Sequence, residues 1–199
     1  MRAGLHLVLA VAILGCGTSP AARFYTLDAT ARPDGSRAGS YAIVVGPVTV
    51  PPAVDRPQLV LQAAPNRVTV DEFHRWAGPL DDAVARAIAG NLAALLGTTQ
   101  VAALPATGLA ATHRVTVDLQ RFEATPGGGV VVEALWAVRP WAGGEGTSGR
   151  TLATEALEGA EVDAVPAAYS RALATVSADV AAAIRSDAGR RRVAAPRSR

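Results

Sequence analysis

Cys16 is the only cysteine in this 199-residue chain. It stands directly behind an uncharged apolar stretch, residues 5–14, which a single Arg2 precedes. A chain with one thiol cannot cross-link itself, so whatever follows must be held by its own apolar core. The stretch is about ten residues long and falls short of the roughly twenty needed to span a bilayer. It fits the hydrophobic region of a secretory signal peptide.

Ile13-Leu14-Gly15-Cys16 resembles a bacterial lipobox, where lipoprotein signal peptidase cuts before Cys. The alternative is an ordinary signal peptide with an incidental thiol; a lone Cys at this place favours the lipobox. The resemblance implies that Cys16 becomes a thioether to diacylglycerol with an acylated amino terminus. One acyl chain binds a membrane marginally, while two or more anchor it stably. Cys16 is then an anchor, and neither a nucleophile nor a metal ligand. Gly17 follows where an Asp would favour inner-membrane retention, so the resemblance implies the outer membrane, facing the periplasm. The boundaries are a signal peptide at 1–15, an acylated tether at 16–23, one domain at 24–188 and a basic tail at 189–199, read as disordered.

The pI of 9.2 misstates the body of the chain. Residues 1–15 carry one Arg and residues 189–199 carry five, with no acid in either; the remainder has 13 Arg against 17 acids, a net charge of −4. There is no lysine and no basic stripe interleaved with aromatics, so nucleic acid is not a partner.

Within the domain, residues 24–27 (FYTL) read as a strand, 30–40 as a loop, and 41–45 as an apolar strand. Gly46-Pro47 and Pro51-Pro52 then give an edge or irregular extended segment. Residues 58–62 and 67–70 read as strands joined by a turn at 64–66. Leu80, Val84, Ile88, Leu92, Leu95 and Leu96 recur at helical spacing, with Pro79 at the first helical position and Gly97 as the stop. Asp81 and Asp82 suit the first turn, at the positive end of the helix dipole. Residues 112–123, 130–141 and 150–159 form an antiparallel meander. A second amphipathic helix covers about 166–185, with Tyr169, Leu173, Val176, Val180 and Ile184 inward and Asp163 as its N-cap. The expected fold is α+β: an antiparallel or mixed sheet of about six strands packed with two amphipathic helices.

Chemistry concentrates in one stretch, DEFHRWAGPLDD (71–82). Its bland account is architectural. Asp71 and Glu72 end a strand, His74 faces solvent, and Arg75 pairs with a nearby acid or stacks on a ring. Trp76 lids the sheet-to-helix corner, and Gly78-Pro79 starts the helix. The alternative is that some of these side chains contact a partner. Elsewhere His74 and His113 lack a second His or Cys at ligand spacing, and no G-x-S-x-G or Walker loop is present. The chain is read as non-enzymatic and without a cofactor.

The order Tyr25-x-Leu27, IVVGPVTVPPAVDRPQLV (43–60), Asn66 and FHRWAGPLDDAVARAIAGNLAALLG (73–97) resembles the ABC-type transport auxiliary lipoproteins, the family of paraquat-inducible protein C. The resemblance covers about residues 23–187. Gly78 departs from it, standing where Glu or another polar residue is expected. The resemblance implies a non-catalytic accessory subunit on the outer membrane. Its partner would be a periplasmic mammalian-cell-entry (MCE) protein and, through that, an ABC permease and ATPase. A lipid-like cargo is implied, and a homo-oligomeric ring is compatible with it. Asp55, Arg56, Pro57, Gln58, Arg75 and Trp76 mark the family and are the candidate partner-binding residues. The three prolines of segment 51–57 make a stiff loop that loses little entropy on binding. The competing account ties Arg56 back to Asp55 or to the Asp71 region, merely shaping the loop. A reading of another class is an envelope structural or assembly lipoprotein with no transport partner.

Overall fold

The computed structural model describes residues 20–33, 35, 39–159 and 161–194; the expected signal segment, 1–15, and Cys16 lie outside the described residues. Among the described residues, eight strands and two helices are arranged as two mixed sheets and a helical layer. The strands are β1 (Arg23–Tyr25), β2 (Ile43–Thr49), β3 (Gln58–Ala64), β4 (Arg67–Trp76), β5 (Val101–Ala103), β6 (His113–Thr125), β7 (Gly129–Pro140) and β8 (Thr147–Glu155). Helix α1 is Leu80–Leu96; a 3-10 turn, Val162–Ala164, leads into α2, Val165–Ala194. The α+β class is as the sequence indicates, but the strands form a three-stranded sheet, β1-β4-β3, and a five-stranded sheet, β5-β2-β6-β7-β8.

The five-stranded sheet is built on the β6-β7-β8 meander. β2 lies inside it, parallel to both β5 and β6. Its register slips between Val45 and Val48, across Gly46-Pro47, because Pro47 has no N–H to give the ladder. Past that point β5 has ended, so the Pro-punctuated half has only β6 beside it. β6 buries Val115, Val117 and Leu119, then switches to Phe122 and Ala124. A bulge between Leu119 and Arg121 causes the switch, since one extra residue reverses which face each side chain takes.

Both helices cover the same face of this sheet, α1 over β2 and β5, α2 over β7 and β8, and they pack on each other. The α1 residues anticipated as apolar are all buried, each stabilising by about 1.5–3 kcal/mol on full burial. Pro79 is the N-cap residue, one position earlier than expected, and Gly97 takes the left-handed conformation (φ 61°) that ends the helix. The segment after β1 laces the helices together. Asp28 N–H donates to Ser170 Oγ, Thr30 Oγ1 to Ser170 O, and Ala31 N–H to Asn91 Oδ1. Helix α2 runs to Ala194, so residues 189–194 continue the helix instead of opening a disordered tail; Arg is a good helix former. Residues 195–199 lie outside the described residues.

Candidate functional site

The stretch 71–76 does not end a strand. β4 continues through it to Trp76, interrupted by a bulge. β3 pairs Leu59 with Asp71 and then Gln58 with Arg75, so Glu72, Phe73 and His74 are extra on the β4 side. Asp71 makes the bulge: its Oδ1 accepts from the N–H of Phe73 (3.0 Å) and of His74 (3.1 Å). Such local capture of backbone donors is what short carboxylate side chains do best.

The bulge re-aims the side chains that follow. Phe73 is turned out, 41% exposed, and His74 is turned in, contrary to the expectation that it faces solvent. The His74 ring stacks on Tyr25 at 5.8 Å and 16°. Its Nδ1 lies 2.9 Å from Asp71 Oδ2, close but not aligned as a hydrogen bond, and its Nε2 lies 3.4 Å from Asp163 Oδ1. Asp163 is not an N-cap. It accepts from Arg23 Nη1 at 2.6 Å and from the Tyr25 hydroxyl, tying β1 and β4 to the start of α2.

This cluster shifts its members' titration. Burial alone would raise the Asp71 carboxyl, but the interaction with His74 and the two backbone donors outweigh it and hold it below the usual range. The hydrogen bonds from Tyr25 and Arg23 hold Asp163 low as well. Burial, then the bond to Asp163, pushes the Tyr25 phenol up to about 12. An open depression of about 590 Å³ lies beside the cluster, lined by Pro20, Ala21, Arg23, Phe73, Val162 and Asp163 among others. The sequence marked Tyr25 and His74 individually but gave no sign that they share a cluster with Arg23 and Asp163.

Four of the six candidate partner-binding residues, Asp55, Arg56, Pro57 and Trp76, come together just past this cluster, at the C-terminal end of β4. Trp76 N–H donates to Pro57 O (2.7 Å), bringing the proline loop against the strand-to-helix corner. Asp55, Arg56, Pro57 and Trp76, with Gly78 and Leu80, line an open depression of about 400 Å³. Trp76 is its floor, 5% exposed, and packs against Phe122 and Tyr169. Gln58 and Arg75 face each other across the β3–β4 ladder, and both donate to Glu72 Oε2. Arg75 thus pairs with an acid, one of the two roles the sequence left open.

Arg56 does not tie back. Among the described residues neither Asp55 nor Arg56 makes a side-chain hydrogen bond or ion pair, and both are exposed. A rigid loop therefore presents two charges of opposite sign beside a partly apolar hollow. Such groups can bind a complementary surface; they assemble no nucleophile and base. Among the described residues no three His, Cys, Asp or Glu side chains gather to hold a metal.

Residues 25–181 match the model of a family described as the ABC-type transport auxiliary lipoprotein component. Two crystal structures share the fold. One, of an uncharacterized protein, is 19% identical, with a TM-score of 0.68 over 83% of this chain and 99% of that one. The other, of protein XCC0632 from Xanthomonas campestris, is 17% identical, with a TM-score of 0.70 over 85% of this chain and 99% of that one. No curated protein matches the chain in sequence.

Proposed function

This chain belongs to the ABC-type transport auxiliary lipoprotein component family, and from that premise we propose that it is the non-catalytic docking subunit of an MCE-type lipid transporter at the outer membrane. Cys16, acylated, anchors it; the tether gives it reach; the corner of Asp55, Arg56 and Pro57 binds the periplasmic MCE protein, and through it an ABC permease and ATPase. The observation that supports this reading most is the state of the loop. Prolines and the Trp76–Pro57 bond fix it in place, while its two charged side chains have no ion-pair or hydrogen-bond partner among the described residues. Ordering entropy is spent during folding, so contacts made there convert more fully into affinity. Asp55 and Arg56 add selectivity for a surface of complementary charge.

The test is recovery of the partner from envelopes gently solubilised in detergent. Wild type is compared with Arg56→Ala, Asp55→Ala and Cys16→Ser, and acylation is read by mass in the same samples. An acylated wild type that brings down an MCE protein, and folded loop variants that do not, is the expected result. If the folded loop variants recover it as well as wild type, the docking surface lies elsewhere. If an acylated wild type recovers no MCE protein, the reading as an envelope structural lipoprotein replaces this one.

A further inference from the structure

The N-terminal edge of the three-stranded sheet exposes apolar side chains where the chain has least freedom to move away from its anchor. Phe24 is 64% exposed and Phe73 41% exposed. Parallel pairing sets Phe24 opposite Arg75. Phe73 lies in the bulge just before His74, which Arg23 faces in the same ladder, so both exposed phenylalanines sit beside the β1–β4 pairing, close to the start of β1. Tyr25 and Trp76 are packed with the core. The hollow beside Phe73 adds Pro20, Ala21 and Val162 to this rim, with Arg23, His74, Glu161 and Asp163 completing its lining.

Chain length decides what meets this rim. Three residues, 17–19, separate Cys16 from Pro20, four steps that span at most about 14 Å when fully extended. β1 starts three residues later and is fastened to α2 by Arg23 and Tyr25 on Asp163. An anchor at Cys16 therefore brings Phe24 and Phe73 within reach of the bilayer surface. Apolar side chains of membrane-surface proteins bury about 5–10 Å into the boundary between headgroups and acyl chains.

We propose that this rim, with Phe24 and Phe73 at its centre, rests in the lipid surface and sets the orientation of the domain on the membrane. The proposal rests on the lipid anchor at Cys16. The charges nearby define the kind of surface. Asp71, Glu72, Glu161 and Asp163 outnumber Arg23 and Arg75, and Arg23 and Arg75 are paired with Asp163 and Glu72. Insertion is consequently apolar and takes place in zwitterionic lipid, with little dependence on salt. β1 and β4 run in the same direction away from the tether.

The test uses the acylated full chain in phosphatidylcholine–phosphatidylethanolamine vesicles. An environment-sensitive fluorophore is placed on cysteines introduced singly as Phe24→Cys, Phe73→Cys and Leu152→Cys; Leu152, on β8, is as exposed as Phe24 (59%). Labels at 24 and 73 are expected to shift to the blue, to be quenched by doxyl lipid and to be shielded at least threefold from aqueous iodide, at low and high salt alike. The label at 152 should stay open to iodide. Equal iodide access at all three positions in acylated, vesicle-bound protein overturns the proposal. So does shielding at 24 and 73 in vesicle-free Cys16→Ser protein that grows with concentration, because a second copy would then cover the rim. If mass shows no acylation and wild type does not associate with vesicles, the anchor reading itself fails, and the proposal with it.

Discussion

The amide of Trp76 donates to the carbonyl of Pro57 across 2.7 Å, and through this bond one residue joins the proline loop, the end of β4 and the start of α1. The Trp76 ring lies under that junction, tilted against Phe122 (6.3 Å) and Tyr169 (6.2 Å), which themselves stack at 3.7 Å. Three elements distant in sequence thus share one aromatic cluster. Trp76→Ala should destabilise the domain by about 3–5 kcal/mol, and Trp76→Phe by clearly less. Urea unfolding of the unlipidated Cys16→Ser form measures both. A Trp76→Ala loss below about 1 kcal/mol would mean that the corner does not depend on the ring.

The loop charges should behave in the opposite way. Asp55 and Arg56 have no partner to lose among the described residues, so Asp55→Ala and Arg56→Ala should each stay within about 0.5 kcal/mol of wild type. Gly78 sharpens the test, since a Cβ built on it meets nothing within 4 Å. Gly78→Arg should fold normally while filling the hollow, and partner recovery should fall about tenfold or more. Normal recovery with the hollow filled would remove it from the docking surface.

What the sequence made legible was local. Helix α1 could be read from its repeating Leu, Val and Ile positions between Pro79 and Gly97, and the meander from alternating runs separated by glycine-rich turns. Parallel pairing leaves no comparable mark. β1 pairs with β4, and β2 with β5 and β6, across separations that no turn signal bridges, so a single sheet was the natural expectation. β5 has only three residues. The proline loop stood out as a candidate, but its contact with Trp76 is a backbone bond with no side-chain signature. Asp163 looked like a helix cap because an acid just before a helix usually is one. Its actual partners, Arg23 and Tyr25, lie 140 and 138 residues away, beyond what spacing can reveal. His74 was turned inward by a bulge that Asp71 builds, and an Asp in a strand-like run does not announce one.

The β6–β7 hairpin separates two glycines that look alike in sequence. Gly127 has φ +72° and open space around it, whereas Gly129 has φ +115° and a built Cβ would lie 2.4 Å from the Glu155 carbonyl oxygen. Gly127→Asn should therefore be nearly neutral, because Asn tolerates the left-handed region. Gly129→Ala should cost about 1–3 kcal/mol or more from backbone strain alone, with the clash against β8 in addition. Thermal unfolding of the two variants separates them; equal melting temperatures would contradict the hairpin geometry.

The Asp163 cluster should limit stability at both ends of the pH scale. Asp71 and Asp163 have folded-state carboxyls below their usual range. Their contribution is therefore present above the ordinary carboxylate pKa of about 4 and is lost as pH falls through the folded values. Tyr25 is shifted the other way, to about 12. Its contribution is intact below the ordinary phenol value of about 10 and is lost as pH rises from there to about 12, because the unfolded chain gives up the proton first. Tyr25→Phe should flatten the fall in stability over that alkaline window and also weaken the Asp163 part of the acid limb, since its hydroxyl helps hold that carboxyl low, while the Asp71 part stays in place. Asp163→Asn should weaken the acid limb and free β1, seen as faster amide exchange at Phe24 and Tyr25. Wild-type pH dependence in both variants would mean that β1 is held by its ladder to β4 alone.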